Sequence, residues 1–306
     1  MHKQAKELNE RRFVRMESIF PFEAALCRLD WDIEGFYNTV PKALEILKDR
    51  LAQTKKDNEI VANCVGHSHI DVAWLWRLKH TREKAIRSFT TVLRLMEEYE
   101  EYIFFQSQPQ LYKYIKNDCP KIYEKIKERV AQGRWETDVF GYSWALPQIM
   151  KLCDIETFVT TKISWNQFST MPNDLFWWCG MDGTQVLTYF IEVSGEEDDI
   201  DSRFSTYNGM VNPHSVLGSW KKFKNKELSR ETLIPFGFGD GGGGPTRDML
   251  RMRQTMDKLP GLPQVKTGKV SDFLHRQHEN AAKTDRPVAK WDGEFYLEYH
   301  RGTYTS

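Results

Sequence analysis

Apolar positions along this chain change period near residue 59. Before that point they recur at helical spacing, with Ala43, Leu44, Ile46, Leu47 and Leu51 on one stripe, which predicts two or three amphipathic helices over residues 1–58 with Asp32-Ile33-Glu34-Gly35-Phe36-Tyr37 between them. From residue 59 onward, short apolar runs alternate with amphipathic stretches. The pattern predicts strands at 60–65, 102–106, 157–163 and 232–238, and helices at 82–99, 119–132 (closed by Gly133), 146–152 and 246–259. It also predicts a hairpin of 176–179 with 185–191, turning at Met181-Asp182-Gly183. Strands alternating with helices imply an α/β fold on a parallel sheet, with chemistry at the strand C-terminal ends. The acidic run from Glu196 to about Asn212 reads as a surface loop.

The chemistry concentrates in Gly66-His67-Ser68-His69-Ile70-Asp71-Val72-Ala73-Trp74-Leu75-Trp76, just after the first strand of that alternation. If the extended geometry continues, His67, His69 and Asp71 point to one side, since strand side chains alternate. Two imidazoles and a carboxylate suit a borderline-soft divalent ion such as Zn2+, or Co2+. A single His there would more readily be a strand cap or a satisfied core residue than a ligand; three such groups at alternate positions shift the balance toward a metal. Trp74 and Trp76 are either core aromatics or flat apolar faces on which the C–H side of a sugar ring packs.

Composition narrows the partners. The 306 residues carry no formal net charge and are 28% charged and 40% hydrophobic, which gives no basic face for nucleic acid or an anionic membrane. Cys27, Cys64, Cys119, Cys153 and Cys179 form no CxxC pair, and their odd number fits a reducing compartment better than a disulfide framework. The charged start Met1-His2-Lys3-Gln4-Ala5-Lys6-Glu7 is unlike a signal peptide, and no run reaches the ~18 apolar residues of a membrane span. Cytoplasm is the expected location.

Two further stretches carry carboxylates. Asp138 follows the strand-like Trp135-Glu136-Thr137 and precedes the turn Phe140-Gly141-Tyr142-Ser143, where a helix N-cap and a catalytic group are both open. Gly239-Asp240-Gly241-Gly242-Gly243-Gly244-Pro245-Thr246 follows an apolar strand and opens a helix. Gly237, Gly239 and Gly242 satisfy GxGxxG, so a nucleotide-binding α/β enzyme is one reading. Against it, Pro245 stands where a P-loop needs Lys, and Asp257 falls inside a helix instead of closing a second strand. Such a loop also lets backbone approach a sugar closely.

The block His67 to Trp76, with Thr81-Arg82-Glu83-Lys84, Ser107-Gln108-Pro109-Gln110-Leu111-Tyr112, Asp138-Val139-Phe140-Gly141-Tyr142-Ser143, Thr160-Thr161-Lys162-Ile163-Ser164-Trp165-Asn166, the glycine loop and Glu298-Tyr299-His300-Arg301-Gly302-Thr303-Tyr304, resembles the N-terminal catalytic domain of glycoside hydrolase family 38 α-mannosidases, in their cytosolic and bacterial branch. The resemblance implies a barrel-like (β/α)7-type domain over 59–306 behind a helical connector, and retaining, metal-assisted hydrolysis of terminal α-linked mannose from oligosaccharides. It makes Asp138 the nucleophile and, with His69 and Asp71, a metal ligand. Asp240 becomes the acid/base candidate, Trp74 and Phe140 line the sugar pocket, and His67 orients the ligands from behind.

The same resemblance marks departures. Between Glu136 and Thr137 the family has a further strand, loop and helix, and beyond Ser306 it continues into helical and β-rich domains that include one more metal-binding His. His214, His275, His278 and His300 match no motif for that ligand. A chain lacking these parts is expected to turn substrate over weakly, which keeps an inactive carbohydrate- or metal-binding remnant as the alternative.

Overall fold

In the computed structural model, residues 28–30, 32–54, 59–136, 143–166, 168–195 and 204–295 are described. The chain forms two compact units, residues 1–57 with 258–261 and residues 58–257 with 262–306. In the first unit one helix, α1 (Ile33–Gln53), runs without a break. The interruption expected at 32–37 is not there. Asp32 is the N-cap, and the buried or half-buried positions Phe36, Val40, Ala43, Ile46 and Leu47 carry one stripe through that stretch.

The second unit is built around β1 (Val61–His67). Its apolar run is buried along nearly its whole length, as expected for a strand covered on both faces. Every partner is parallel to it. β2 (Phe104–Phe105) pairs at its C-terminal end, β7 (Glu231–Phe236) pairs from Val61↔Glu231 to Gly66↔Phe236, and β8 (Gln264–Thr267) pairs along its first half. β3 (Trp135–Glu136) extends the sheet beyond β2. The connections carry helices α2 (Leu78–Glu98), α3 (Pro109–Asp118) and α4 (Pro120–Ala131). Phe89 of α2 packs on Phe104 and Trp135, whose own ring centres are 4.7 Å apart.

A second sheet has the order β4-β6-β5-β9. It follows the short helix α5 (Leu146–Leu152) and consists of β4 (Thr157–Thr160), β5 (Leu175–Cys179), β6 (Gln185–Phe190) and β9 (Lys290–Asp292). β5 and β6 form the expected antiparallel hairpin. Its turn is closed by Gly180 N–H on the Thr184 carbonyl (2.8 Å), by Thr184 N–H on Asp182 Oδ1 (2.9 Å), and by Gly183 at φ +82°. Trp178, Phe158, Phe176, Phe190 and Phe295 fill its core. Helices α6 (Pro213–Lys222), α7 (Arg247–Met256) and α8 (Val270–Lys283) complete the unit.

The fold is thus mixed α/β with a parallel sheet; among the described residues the strands form two sheets and close no barrel. The strand expected at 157–163 stops at Thr160. There the Thr160 hydroxyl accepts the Lys162 N–H at 3.2 Å, and the chain turns into a 3₁₀ helix, Lys162–Ser164, a local side-chain bond competing with the ladder. Helix 246–259 ends at Met256. No helix among the described residues is long and apolar enough to cross a membrane.

Phe104 is fully buried between β1 and β3. Phe104→Ala is therefore expected to lower unfolding free energy by about 3–5 kcal/mol, measured by urea denaturation with an unchanged m-value; a loss under ~1 kcal/mol would contradict this packing.

Candidate metal centre

β1 delivers His67 at its last ladder position, opposite Phe105. The ring is buried, and its Nδ1 lies 3.0 Å from the Phe105 carbonyl. A carbonyl only accepts, so Nδ1 carries the proton and Nε2 keeps its lone pair. Burial, reinforced by neighbouring His69, holds the imidazole down to about 4 against the pull of that carbonyl. His67 is neutral, and its hydrogen bond goes to backbone.

Beyond His67 the strand does not continue. Ser68 gives its carbonyl to Gln106 Nε2, and His69 gives its carbonyl to the Gly241 N–H at 3.2 Å. The loop nevertheless brings His69 Nε2 to 3.2 Å from Asp71 Oδ1. The convergence read from alternate spacing is real for this pair and is produced by a loop.

The second carboxylate arrives from the chain after β7. After Phe236 the chain runs through Gly237 (φ +138°) to Asp240, itself left-handed at φ +52°, a conformation that Asp adopts more readily than most non-glycine residues. One donor atom each from His69, Asp71 and Asp240 lie within 4.8 Å of one another. Among the described residues this is the one such group of His, Cys, Asp or Glu. An imidazole nitrogen and two carboxylate oxygens, half-buried, are a donor set that zinc or cobalt accepts.

Two side chains that the sequence reading gave no role complete the surroundings. Tyr207 donates its hydroxyl to Asp240 Oδ1 at 3.1 Å, and its ring stands 4.4 Å from that of His69. Burial, then the charges of Asp240 and Asp71, raise its phenol, so it serves as a donor. Lys162 Nζ lies over the Trp165 ring at 4.0 Å and the Tyr207 ring at 4.4 Å. Burial lowers the Lys162 ammonium, opposed by Asp240 and Asp71. For Asp71 burial pushes upward, but the His69 hydrogen bond and the charges of His69 and Lys162 prevail and hold it below the usual carboxylate range. Tyr207 sits in what reads as a polar surface loop, with no sequence signal. Lys162 had one, its place in the Thr160–Asn166 block after a strand.

The cleft that His69, Lys162 and Tyr207 border is about 80 Å³ and is also lined by His67, Thr161 and Ile191, among others; Asp71 and Asp240 lie outside its lining. It lies at the C-terminal ends of β1, β4, β6 and β7. Trp74 is 52% exposed, and its ring is perpendicular to that of Trp76 with centroids 5.2 Å apart. Asp138 and Phe140 lie outside the described residues. His278 bonds Thr157 Oγ1 and His275 pairs with Glu279; neither joins the cluster. In the glycine loop the N–H groups of Gly241, Gly242 and Gly244 bond the carbonyls of His69, Gly239 and Phe238. They are not presented to a phosphate, which removes the main support for a nucleotide site.

Replacing His69 and Asp71 together by Ala is expected to abolish stoichiometric zinc or cobalt uptake, measured by elemental analysis after dialysis. Unchanged metal content would place the site elsewhere.

The chain is 31% identical to α-mannosidase G of Dictyostelium discoideum, over 88% of its own length and 27% of the relative's. It is 32% identical to human α-mannosidase 2C1, over 88% and 28%, and 31% identical to a Saccharomyces cerevisiae α-mannosidase, over 82% and 27%. It therefore spans little more than a quarter of each. The fold is similar to the crystal structure of an α-mannosidase from Enterococcus faecalis V583, with a TM-score of 0.58 and 16% identity over 78% of this chain and 31% of that one. The glycosyl hydrolases family 38 N-terminal domain matches residues 59–137 and 134–294, two pieces that overlap at residues 134–137, the short strand β3 with one residue on either side. With the family match covering most of the chain, and relatives of over 30% identity aligned along most of it, this protein belongs to glycosyl hydrolase family 38.

Proposed function

We propose that this chain carries the catalytic chemistry of a retaining α-mannosidase acting on terminal α-linked mannose of oligosaccharides in the cytoplasm, with the two sheets forming part of a barrel-like (β/α)7-type domain over 59–306 and residues 1–58 a helical connector. The observation that carries this reading is the cluster of His69, Asp71 and Asp240 at the strand ends, in a family whose matched relatives are named α-mannosidases.

His69, Asp71 and Asp138 would hold the cation. When bound, zinc or cobalt supplies positive charge that fixes sugar hydroxyls and favours a distorted ring. The chain's own groups carry the rest. The Asp138 carboxylate attacks the anomeric carbon as the glycosidic C–O bond breaks, while Asp240 gives its proton to the leaving oxygen. Asp240 then takes a proton from the water that displaces Asp138, restoring both groups and retaining configuration. Trp74 and Phe140 offer aromatic faces to the ring. Tyr207, bonded to Asp240, orients that carboxyl group.

A second role for Asp240 is favoured by its place within 4.8 Å of His69 and Asp71 donor atoms: the third protein ligand. A metal-bound carboxylate has little affinity for a proton, so the roles exclude each other. Asp240→Asn separates them. As acid/base, Asp240 is needed little for aryl α-mannosides with good leaving groups; the variant should retain those within about tenfold, lose about 10²–10⁴ on unactivated ones, and keep its zinc. As ligand, the variant should lose zinc affinity.

The function itself is tested on zinc-loaded protein with 4-nitrophenyl α-mannoside, following the anomer first released by NMR. The α anomer, with activity lost in Asp138→Asn, is the expected result. Release of the β anomer would rule out retention, and mannose binding without turnover would reduce the chain to a carbohydrate-binding remnant.

A further inference from the structure

Just past the end of β6 stands a buried carboxylate, Glu192, that the proposed reaction does not use. Its two oxygens have separate partners. Oε1 accepts from Lys224 Nζ at 3.2 Å, and the same ammonium lies 2.5 Å from Oδ1 of Asp174, which is fully buried. Oε2 accepts from the Ser205 hydroxyl. Asp174 has evident structural work, because its Oδ2 accepts the Lys224 backbone N–H at 2.7 Å. Both partners of Glu192 are side chains.

Taking a carboxylate out of water carries a penalty that its ion pair at best offsets, and an apolar side chain of similar volume often serves stability as well. Stability alone therefore does not account for Glu192. What it holds is Ser205, itself buried, at the junction of two stretches of chain that reach the metal cleft.

The first stretch carries Lys162. The Ser205 N–H goes to the Ser164 hydroxyl at 2.9 Å, and that hydroxyl lies 3.0 Å from the Thr161 carbonyl, so Ser205 is tied to the 3₁₀ helix that begins with Lys162. The second stretch carries Tyr207, two residues after Ser205. Its hydroxyl reaches Asp240 at 3.1 Å, and its ring centre stands 4.4 Å from that of His69 and 4.4 Å from Lys162 Nζ. Two backbone bonds also hold this stretch: the Thr206 N–H on the Val193 carbonyl at 2.9 Å, and the Gly237 N–H on the Gly209 carbonyl at 3.1 Å. These fix where the backbone passes. The hydroxyl bond to Glu192 fixes how Ser205 is turned, and a bond to a carboxylate is about twice as strong as one between neutral groups. Groups around a metal must be held within about half an ångström to be effective, so this last restraint matters at the cleft.

We propose that Glu192, braced by Lys224, is a positioning residue for the metal cleft: by holding Ser205 it sets Tyr207 against His69 and Asp240. The inference rests on the function proposed above, whose cation site it supports from behind.

The experiment uses the full chain with Ser205→Ala, which deletes a single oxygen and keeps the test valid if Glu192→Ala fails to fold. Without metal, the Tyr207 ring resonances, assigned by their loss in Tyr207→Phe, should shift in Ser205→Ala and in Glu192→Ala. With zinc, calorimetry should show each variant binding about tenfold or more weakly, as when partners that orient metal ligands are lost. In a Tyr207→Ala background, Ser205→Ala should cost less than about twofold further, because residues acting through one group are not additive. A merely structural role would lower the thermal midpoint, leave the Tyr207 resonances in place and leave the zinc affinity of the folded protein unchanged. Unmoved Tyr207 resonances, unchanged zinc affinity in both variants, or a full effect of Ser205→Ala without Tyr207 would each overturn the proposal. Unmoved resonances in a chain that binds zinc would leave the cation site standing and remove the role of Glu192. Shifted resonances in a wild-type chain that takes up no zinc would do the reverse.

Discussion

The site depends on how closely two backbones approach. The chain after β7 lies against the chain after β1 with no room for side chains between them: a Cβ on Gly237 would stand 2.2 Å from the His67 carbonyl oxygen, and one on Gly244 would stand 3.1 Å from Ser68 Cβ. Both glycines have positive φ, where an L side chain is strained whatever the space. The Gly241 N–H closes the contact on the His69 carbonyl, and Arg87 holds the Gly241 carbonyl at 2.5 Å from outside. This seam brings Asp240 to His69 and Asp71. It also answers what the glycine run is for, because the N–H groups of Gly241, Gly242 and Gly244 are spent on protein carbonyls.

Electrostatics follow from the seam. Two carboxylates brought together without a cation repel, and the structure balances them with the half-buried Lys162 above Tyr207 and with the Tyr207 hydroxyl on Asp240. His67 adds no charge, since burial keeps it neutral. The result is a cluster of two carboxylates and an imidazole beside a cleft lined by His67, His69, Phe105, Lys162 and Tyr207. That chemistry serves a divalent ion and a polyhydroxylated ligand far better than it serves an anion.

Much of this was legible in the sequence. The continuous apolar run of β1, flanked by amphipathic stretches, located the central parallel strand, and Met181-Asp182-Gly183 located the hairpin turn because a left-handed glycine leaves a local signature. His69 and Asp71 were found by spacing, although the strand ends before them and a loop makes the pair. What was not legible depends on long-range contact. Tyr207 reaches Asp240 across 33 residues, from a loop that looks like ordinary polar surface, and the ion group of Asp174, Glu192 and Lys224 spans three segments with no motif. Strand β4 was read too long because Thr160, a good strand former, spends its hydroxyl on the Lys162 N–H. Residues 32–37 read as a break between helices because Asp32 and Gly35 resemble a turn, yet the helix starts at Ile33 and its apolar stripe runs on from Phe36.

Backbone proximity at the glycine seam brings the candidate cation ligands together. The zinc affinity of Gly237→Ala, measured by calorimetry on protein whose circular dichroism remains native, tests this. The added methyl must push the β7 loop away from His67 and carry Asp240 out of reach, so zinc binding should weaken at least about tenfold, in the range seen when partners that orient metal ligands are lost. Native-like protein that binds zinc as tightly as wild type would contradict the claim.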